Sequence, residues 1–298
     1  MNGGSKESGV EFAQDVCALP LACRLAAMLN RDPAGLREGA PLPRGWHVIL
    51  FNAPTLQSQL RPDGAAGLGV TLPELGLPRL MMGGRQLRFD GDIPLGAQVR
   101  RETRQGAVQL KQGRSGRFAL VKVEHRIFVE DALAAAVIEN IDYVLRESSG
   151  AGAATAAVPA AFAAGNTAAF AAGETAAAQP PIGSPEKTAT CTILPDERML
   201  FRYSAITDNP HRIHYDQRYA IGTEGYPALV VNGSLPAMFL LELFRVTAGR
   251  EPSTLTTRNV AAMYCGNPLQ LNVLNQGSSW RLWAQDDQGT TTFEARAE

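Results

Sequence analysis

The chain has 298 residues, and its 45% hydrophobic and 19% charged residues are typical of a globular protein with a sizeable core. Its 28 basic residues nearly balance 29 acidic ones, and a net charge of −1 gives no electrostatic basis for non-specific binding to nucleic acid or to a membrane surface. The length predicts about two domains of roughly 150 residues each.

The cysteines and the apolar runs indicate a compartment. The four cysteines are scattered and form no CxxC pair, which argues against a zinc ribbon or a disulfide framework and favours a reducing environment. The opening MNGGSKESGVEF lacks the apolar core of a secretory signal, and no apolar run reaches the ~18 residues of a membrane span. We therefore expect a soluble, cytoplasmic protein.

The first half of the chain is predicted to mix helix and strand. A helix is expected around Asp15–Asp32, and residues 43–51 (PRGWHVILF) fit a strand or a short helix. A Gly- and Pro-rich loop is expected at 52–78. Residues 117–130 (RFALVKVEHRIFVE) alternate apolar and polar side chains, as a half-buried strand does.

An alanine-rich stretch at 149–184 marks the clearest boundary. Residues 151–180 contain 16 alanines and one charged residue, Glu174, with glycines and prolines between them. Alanine favours helix, but the interruptions and the lack of an apolar stripe predict a flexible or partly helical linker. This linker divides the chain into residues 1–148 and 185–298.

The two flanks of the linker resemble each other. Residues 88–106 (RFDGDIPLGAQVRRETRQG) and 263–277 (MYCGNPLQLNVLNQG) share a Gly and Pro-Leu turn between two strands, and further strands follow each. We interpret this as a weak internal repeat, an α+β unit present twice. A chance similarity of Gly/Pro turns is the alternative.

The second half contains an apolar helix, VVNGSLPAMFLLELFRVTAG. It is predicted to begin after Gly233 with Ser234 as its cap and to end at Gly249. Only two of its side chains are charged, so most of its faces should be buried. A buried helix wrapped by antiparallel strands is typical of the hot-dog fold.

The stretch 207–216 (TDNPHRIHYD) holds two of the four histidines. It could be an acid/base site, a polar loop that satisfies its own backbone, or a metal site in which Asp208 or Asp216 joins His211 and His214. The Asn-Pro pair breaks the helix that a zincin-like site needs, and no HExxH occurs, which disfavours the metal.

Together with the helix that follows it, FRYSAITDNPHRIHYD (201–216) closely resembles the signature of the MaoC-like acyl-thioester hydratases and dehydratases. The branch with mesaconyl-C4-CoA and itaconyl-CoA hydratases and mitochondrial-type 3-hydroxyacyl-thioester dehydratases is most similar. GWHVILF, LPRLMMGGRQLRF and KQGRSGRF also resemble it, so the similarity covers most of the chain outside the linker. It implies an α+β double hot-dog: two antiparallel sheets, each wrapping a helix, joined into one continuous sheet. Residues 1–148 would be a non-catalytic domain and 185–298 the catalytic one.

The resemblance also implies roles for individual residues. His214 would be the catalytic acid/base, and the Gly233 backbone N–H would donate to the thioester oxyanion. Asn209 lies five residues before His214, where the family signature has an acid and this branch usually has asparagine; an amide can orient water but cannot accept its proton. Asp208, one residue away, is a weaker candidate. Asn232 stands where the branch more often has histidine.

Other residues of the motif are expected to support the site. His211 and Asp216 would lie behind the catalytic groups, with Asp216 holding the loop through backbone N–H groups. Arg212 would pair with an acidic neighbour or a CoA phosphate.

Basic residues and histidines of the first half have less defined roles. Three arginines are candidates to bind a substrate carboxylate or the CoA phosphates: Arg85, Arg88 and Arg114. His47 and His125 are interpreted as structural.

The implied reaction is reversible hydration of a 2-enoyl-CoA with no metal or redox cofactor, CoA being part of the substrate. A branched C5 dicarboxylic thioester, mesaconyl-C4-CoA or itaconyl-CoA giving citramalyl-CoA, is the leading substrate. The alternatives are dehydration of fatty-acid- or polyketide-type 3-hydroxyacyl thioesters, binding of acyl thioesters without turnover, and thioester hydrolysis, for which Glu242 lies too far along the helix. No nucleic-acid or membrane partner is expected, and the oligomeric state stays open, with a homodimer among the possibilities.

Overall fold

A computed structural model describes residues 9–52, 54–65, 75–77, 79–113, 116–147 and 188–298. The predicted linker at 149–184, the domain boundaries beside it and Arg114 lie outside the described residues. Within these residues, no helix has the length and apolar character needed to cross a membrane.

One antiparallel sheet organises the described part of the chain. Its ten strands are β1 (Val10–Val16), β2 (Arg79–Phe89), β3 (Gln98–Gly113), β4 (Gly116–Val129), β5 (Val137–Arg146), β6 (Thr188–Ile193), β7 (Thr254–Asn259), β8 (Leu269–Asn275), β9 (Trp280–Gln285) and β10 (Thr291–Ala297). Their order across the sheet is β1-β3-β4-β5-β2-β7-β10-β9-β8-β6.

The strand order confirms the internal repeat. From each outer edge inward, both halves run through their first, third, fourth, fifth and second strands. The halves join where β2 pairs with β7, in a register from Gly84↔Arg258 to Arg88↔Thr254. The predicted continuous sheet is therefore present.

The halves differ in their helices. The first half has α1 (Leu19–Met28) and short 3-10 helices at Pro33–Gly35, Trp46–Ile49 and Gln57–Gln59. The second half has α2 (Glu197–Ile206), a 3-10 turn at Arg212–His214, α3 (Gln217–Gly222) and α4 (Leu235–Ala248). Among the described residues, the long buried helix between the first two strands of a half thus occurs in the second half alone.

The start of the N-terminal helix was predicted too early. Asp15 belongs to strand β1, and α1 begins at Leu19 with Pro20 in its first turn. Proline is well tolerated at that position because its missing N–H would have no helical partner there. The Asp15 carboxylate instead accepts the backbone N–H of Phe51 at 2.6 Å.

Helix α4 lies at the centre of the C-terminal core, as its apolar sequence predicted. It packs against β6, β8 and β9, and its buried side chains include Leu240 and Phe244. The Phe244 ring meets Trp280 edge-on at 5.4 Å between centroids. The helix ends at Gly249, whose left-handed φ of 71° suits glycine.

Leu240→Ala should lower the free energy of unfolding by about 2–5 kcal/mol, because a buried leucine leaves a cavity when it is truncated. Val246→Ala, on the same helix but with 84% of the valine exposed, should change it by less than about 0.5 kcal/mol. Urea denaturation of the two variants measures the difference. Equal effects would contradict the placement of α4 in the core.

Candidate active site

Both halves of the sheet line one cavity of about 480 Å³. The C-terminal half contributes residues of the loop 207–214, the segment 230–234 before α4, and residues 261–263. The N-terminal half contributes residues of the turn 47–52 and of strands β2 to β5. Seven of the sequence-predicted residues lie in this lining: Arg85, Asp208, Asn209, His211, His214, Asn232 and Gly233.

Polar side chains shape the loop that carries His214. Helix α2 ends at Ile206, and Asp208 takes a left-handed φ of 44°, which aspartate tolerates better than most residues. The Oδ1 atom of Asn209 then accepts the backbone N–H of His211 at 3.1 Å. The chain passes directly into the 3-10 turn that ends at His214.

Two hydrogen bonds attach this loop to the segment before α4. The Val230 N–H donates to the carbonyl oxygen of Ile213 at 2.9 Å. The Val230 carbonyl oxygen in turn accepts from Nδ1 of His214 at 2.7 Å. The segment is held from its other side by the Val231 N–H, which donates to Met263 O at 2.8 Å. Residues far apart in sequence are thereby placed side by side.

The same contact sets the protonation of His214. A carbonyl oxygen can only accept, so Nδ1 carries the proton and Nε2 keeps its lone pair. Burial, together with the smaller effect of the neighbouring His211, lowers the pKa of His214 to about 4 even though the hydrogen bond to Val230 raises it. At neutral pH His214 is therefore an uncharged imidazole whose Nε2 can accept a proton.

The start of α4 offers a hydrogen-bond donor. The Ser234 N–H donates to Oδ1 of Asn232 at 3.2 Å, and the Leu235 N–H donates to the Asn232 carbonyl at 2.9 Å. The Gly233 N–H makes no hydrogen bond to any described residue. It lies at the positive end of the helix dipole, where a developing negative charge would be stabilised. A Cβ at this position would be 3.1 Å from Nδ2 of Asn259, so a side chain has little room.

The helix cap differs from the prediction. Ser234 occupies the cap position, but its side chain makes no capping hydrogen bond. Its hydroxyl donates instead to Oδ1 of the buried Asn232 at 3.0 Å. Asn232 therefore orders the backbone that presents Gly233. The cap position predicted for Ser234 is confirmed, but its side chain does not cap the helix.

Asn209 and Asp208 lie differently in the cavity wall. Asn209 is half-buried, and its Oδ1 is engaged by the His211 N–H. Asp208 is exposed. Asn209 thus holds the loop in shape, whereas Asp208 faces solvent.

Arg212 and Asp216 support the loop from outside the cavity lining. Asp216 caps α3 by accepting the Tyr219 N–H at 3.0 Å. Its other oxygen, Oδ2, accepts a hydrogen bond from the Arg212 guanidinium at 2.8 Å. The guanidinium carbon also lies 4.0 Å from the centre of the Tyr219 ring. The Arg212 N–H donates to Asp63 O at 2.8 Å and so attaches the loop to the N-terminal half.

The arginines proposed for substrate binding lie in different places. Arg85 lines the cavity, and its Nη1 is 3.3 Å from Oε1 of Glu139. Arg88 lies outside the lining and pairs with Asp90 at 2.9 Å.

Sequence reasoning did not identify several polar residues of the lining. They come from four strands and one turn: Arg101, Glu139, Tyr143, Asn259 and, interpreted as structural, His47 and His125. Only period-two alternation, which places every second residue of a strand on one face, could have pointed to those in the strands.

No group of three or more His, Cys, Asp or Glu side chains within the described ranges is placed to hold a metal ion. The His211 and His214 rings meet edge-on, 5.5 Å apart between centroids. Catalysis without a metal stays a prediction.

Comparison with known proteins identifies the family. Residues 45–265 match the model of the hydroxyacyl-thioester dehydratase type 2 family. The chain belongs to this family. It is also 35% identical over 288 residues to mesaconyl-C4-CoA hydratase of Chloroflexus aurantiacus, with 97% of this chain and 94% of the relative covered. The chain is accordingly a lyase of the hydratase and dehydratase class.

Solved structures show the same fold. A MaoC-like dehydratase from Phytophthora capsici aligns with a TM-score of 0.65 at 12% identity, over 97% of this chain and 94% of that one. A Mycobacterium tuberculosis protein described as a double hotdog aligns with a TM-score of 0.56 at 14% identity, over 97% and 95%. The predicted double hot-dog is confirmed.

The protonation of His214 predicts the pH profile of this family member. With a pKa of about 4, kcat/KM should stay nearly constant from pH 8 to 5.5 and fall only near pH 4. An ordinary histidine pKa near 6.5 would already lower kcat/KM roughly tenfold at pH 5.5.

His214→Ala should lower kcat by ~100-fold or more, and near-normal turnover would exclude His214 as the acid/base.

The same residue should affect stability. Between pH 6.5 and 4 the unfolded chain binds a proton at this histidine while the folded chain does not, so the free energy of unfolding falls as the pH falls. Denaturation of His214→Gln across this window should show a smaller loss than the unsubstituted protein.

Two substitutions at Asn209 separate its possible roles. Asn209→Asp keeps an acceptor for the His211 N–H and should retain kcat/KM within roughly threefold, whereas Asn209→Ala loses it and should lower kcat/KM roughly tenfold. Steady-state kinetics of both variants provides the test. Loss of activity in Asn209→Asp alone would show that the side-chain NH2 matters instead.

Proposed function

We propose that the protein catalyses the reversible hydration of a 2-enoyl-CoA thioester, with no metal or redox cofactor. One observation carries the proposal: a single cavity contains a neutral imidazole with an available Nε2 and, at the start of a buried helix, a backbone N–H that bonds to none of the described residues. Hydration of an enoyl thioester needs both a proton acceptor for water and a donor for the thioester oxygen.

The reaction follows from these two groups. Nε2 of His214 takes a proton from water, and the water oxygen bonds to the β-carbon. The electrons of the double bond move onto the thioester oxygen, where the Gly233 N–H stabilises the negative charge. The proton is then delivered to the α-carbon and the carbonyl re-forms. Since Asn209 cannot accept a proton, His214 serves as the single acid/base in this scheme.

For the acyl group we propose a branched C5 dicarboxylic 2-enoyl thioester, mesaconyl-C4-CoA, with citramalyl-CoA as product. Itaconyl-CoA, the other substrate expected from the sequence, lacks the double bond conjugated to the thioester that this reaction needs. The similarity to mesaconyl-C4-CoA hydratase along 97% of the chain supports this choice. The cavity lining supports it too, because it contains two arginines, Arg85 and Arg101, and polar groups around them. A long alkyl chain would leave these charges buried without new partners, which is unfavourable.

Dehydration of a 3-hydroxyacyl thioester of fatty-acid or polyketide type is the second candidate. The family model favours it by description. The lining also has an apolar part, formed by Leu80, Met81, Met82, Ile141 and Met263. The chemistry is the same reaction in reverse, so the acyl chain distinguishes the two.

Ultraviolet absorbance of the purified protein with crotonyl-, mesaconyl-C4-, itaconyl- and one long-chain enoyl-CoA tests the proposal, with free thiol followed in parallel. We expect loss of the conjugated-enoyl absorbance without thiol release, fastest with mesaconyl-C4-CoA. Itaconyl-CoA has no conjugated enoyl group, so its product is followed by mass.

Each other outcome has a defined reading. Preference for the long chain would support the fatty-acyl dehydratase instead. Thiol release would indicate hydrolysis. No turnover of any substrate would contradict the hydratase and favour a protein that only binds acyl thioesters, with Asn209 and Asn232 as the departures to examine.

A further inference from the structure

A row of polar side chains crosses the N-terminal sheet on the face that lines the cavity. Thr103 of β3 lies opposite His125 of β4, and His125 lies opposite Glu139 of β5. Arg101, two residues before Thr103, shares this face because side chains two apart on a strand point the same way. Thr103, His125 and Glu139 are each at least nine-tenths buried. Such a face is usually apolar, and these polar groups therefore need an explanation.

Ion pairs and one hydrogen bond connect most of this cluster, although both ring nitrogens of His47 and Oε1 of Glu139 are buried without a hydrogen-bond partner among the described residues. Arg85 Nη1 lies 3.3 Å from Oε1 of Glu139, and Nε2 of His47 lies 3.7 Å from Oε2. Burial would raise the pKa of the Glu139 carboxyl, but Arg85 and His47 outweigh it and hold that pKa well below its usual range. His125 Nδ1 is 2.8 Å from the Thr103 hydroxyl. Burial lowers the pKa of His125 to about 4, so its ring is neutral.

Arg101 differs in having no ion pair. Its side chain forms no ion pair or hydrogen bond with the described residues, and its buried Nε has no hydrogen-bond partner among them. Burial lowers the pKa of its guanidinium, although Glu139 and Tyr143 act in the opposite direction. A guanidinium stays charged in a protein, so this cation has lost water without a matching anion of its own.

The Arg101 side chain is nevertheless held in place. Its guanidinium carbon lies 5.0 Å from the centre of the Phe51 ring. Phe51 has a φ of 62°, an uncommon value for an aromatic residue, and its N–H donates to the Asp15 carboxylate at 2.6 Å. Uncommon backbone conformations held by their surroundings cluster at ligand sites.

We propose that Arg101 binds the free carboxylate of the acyl group and thereby selects dicarboxylic acyl thioesters over uncharged ones of the same length. This rests on the proposed function in one respect: the cavity must receive the acyl group. A guanidinium matches a carboxylate with two parallel hydrogen bonds, which a methyl end cannot make. Arg85 is less suited to this task because Glu139 already neutralises it.

Binding of two saturated thioesters tests the assignment without any turnover. Succinyl-CoA and butyryl-CoA have acyl chains of four carbons and differ at the end, a carboxylate against a methyl. By isothermal titration calorimetry the unsubstituted protein should bind succinyl-CoA roughly 10- to 100-fold more tightly. Arg101→Met should remove this preference while leaving the affinity for butyryl-CoA within about threefold, since only the carboxylate contact is lost.

Arg104→Met is the matched control. Arg104 lies on the same strand with its side chain 51% exposed and outside the cavity lining. Its substitution removes the same charge from the protein and should leave the preference unchanged. An equal loss in both variants would indicate a general effect of charge and would overturn the proposal.

Arg101→Lys provides a second variant if the methionine variant does not fold. Lysine keeps the charge but not the planar fork, so the preference should fall to an intermediate value. An unchanged preference for succinyl-CoA in either Arg101 variant would exclude the contact. Because neither ligand can be hydrated, an intact preference together with an inactive enzyme would count against the proposed reaction and not against Arg101.

Discussion

The pair of hydrogen bonds made by Val230 is the interaction on which the site depends. Its N–H holds the loop at Ile213, and its carbonyl fixes the ring of His214. Val230 also lies three residues before Gly233, so the loop and the start of α4 are positioned by one short segment. Without this contact, the proposed base, His214, and the proposed oxyanion donor, the Gly233 N–H, would belong to separate segments of the chain.

The same contact explains how a buried histidine can be a base. Burial disfavours the charged imidazolium, and the carbonyl selects the tautomer with its proton on Nδ1. Burial and the hydrogen bond to the carbonyl together leave Nε2 unprotonated at neutral pH, so that it can accept a proton. A lower pKa makes Nε2 a weaker base in the free enzyme, and the charge that develops on the substrate would then have to stabilise the imidazolium during the reaction.

The N-terminal half helps to hold the loop that carries His214, although this loop belongs to the other half. The Asp63 carbonyl accepts the Arg212 N–H, and Gly64, with a φ of 82°, lies so close to Pro210 that an added Cβ would be 2.2 Å from its carbonyl oxygen. A glycine is needed there for both reasons. The two halves are therefore mechanically dependent on each other, in addition to sharing the sheet through β2 and β7.

How far the sequence predicts this structure depends on whether a feature is local. Contiguous residues are enough to predict the apolar run of α4 and its end at Gly249. The same holds for the loop that carries both Asn209 and His214, and the structure contains all three features as expected. Ser234 lies at the cap position that the sequence predicts, but its hydroxyl bonds to the Asn232 amide oxygen and not to the helix backbone, a choice that depends on the backbone path into the helix.

The polar cluster could not be predicted for a different reason. Alternation along a single strand shows which of its residues share a face. Whether Arg101 of β3, His125 of β4 and Glu139 of β5 lie on the same face of the sheet depends on the register between the strands, which the sequence does not give. Arg88 satisfies the same chemical criterion as Arg101, a cation near a Gly/Pro turn, yet lies outside the cavity lining and pairs with Asp90. Three-dimensional register, which no short motif encodes, separates the two arginines.

The distribution of charge in the cavity gives the substrate a direction. At the end formed by the loop and α4, the available groups are a neutral imidazole and a backbone N–H, both suited to a thioester and to water. At the end formed by the N-terminal sheet, the half-buried Arg101 guanidinium has no ion pair with any described residue. In one orientation, a thioester with a second carboxylate places its thioester beside the imidazole and its carboxylate beside the guanidinium. The reverse orientation would place the carboxylate against the imidazole and leave the guanidinium unpaired, which is costly in a buried site. In the proposed reaction, repetition of one fold thus supplies two ends of different chemistry: the C-terminal copy would carry the reaction, and the N-terminal copy would distinguish the acyl group.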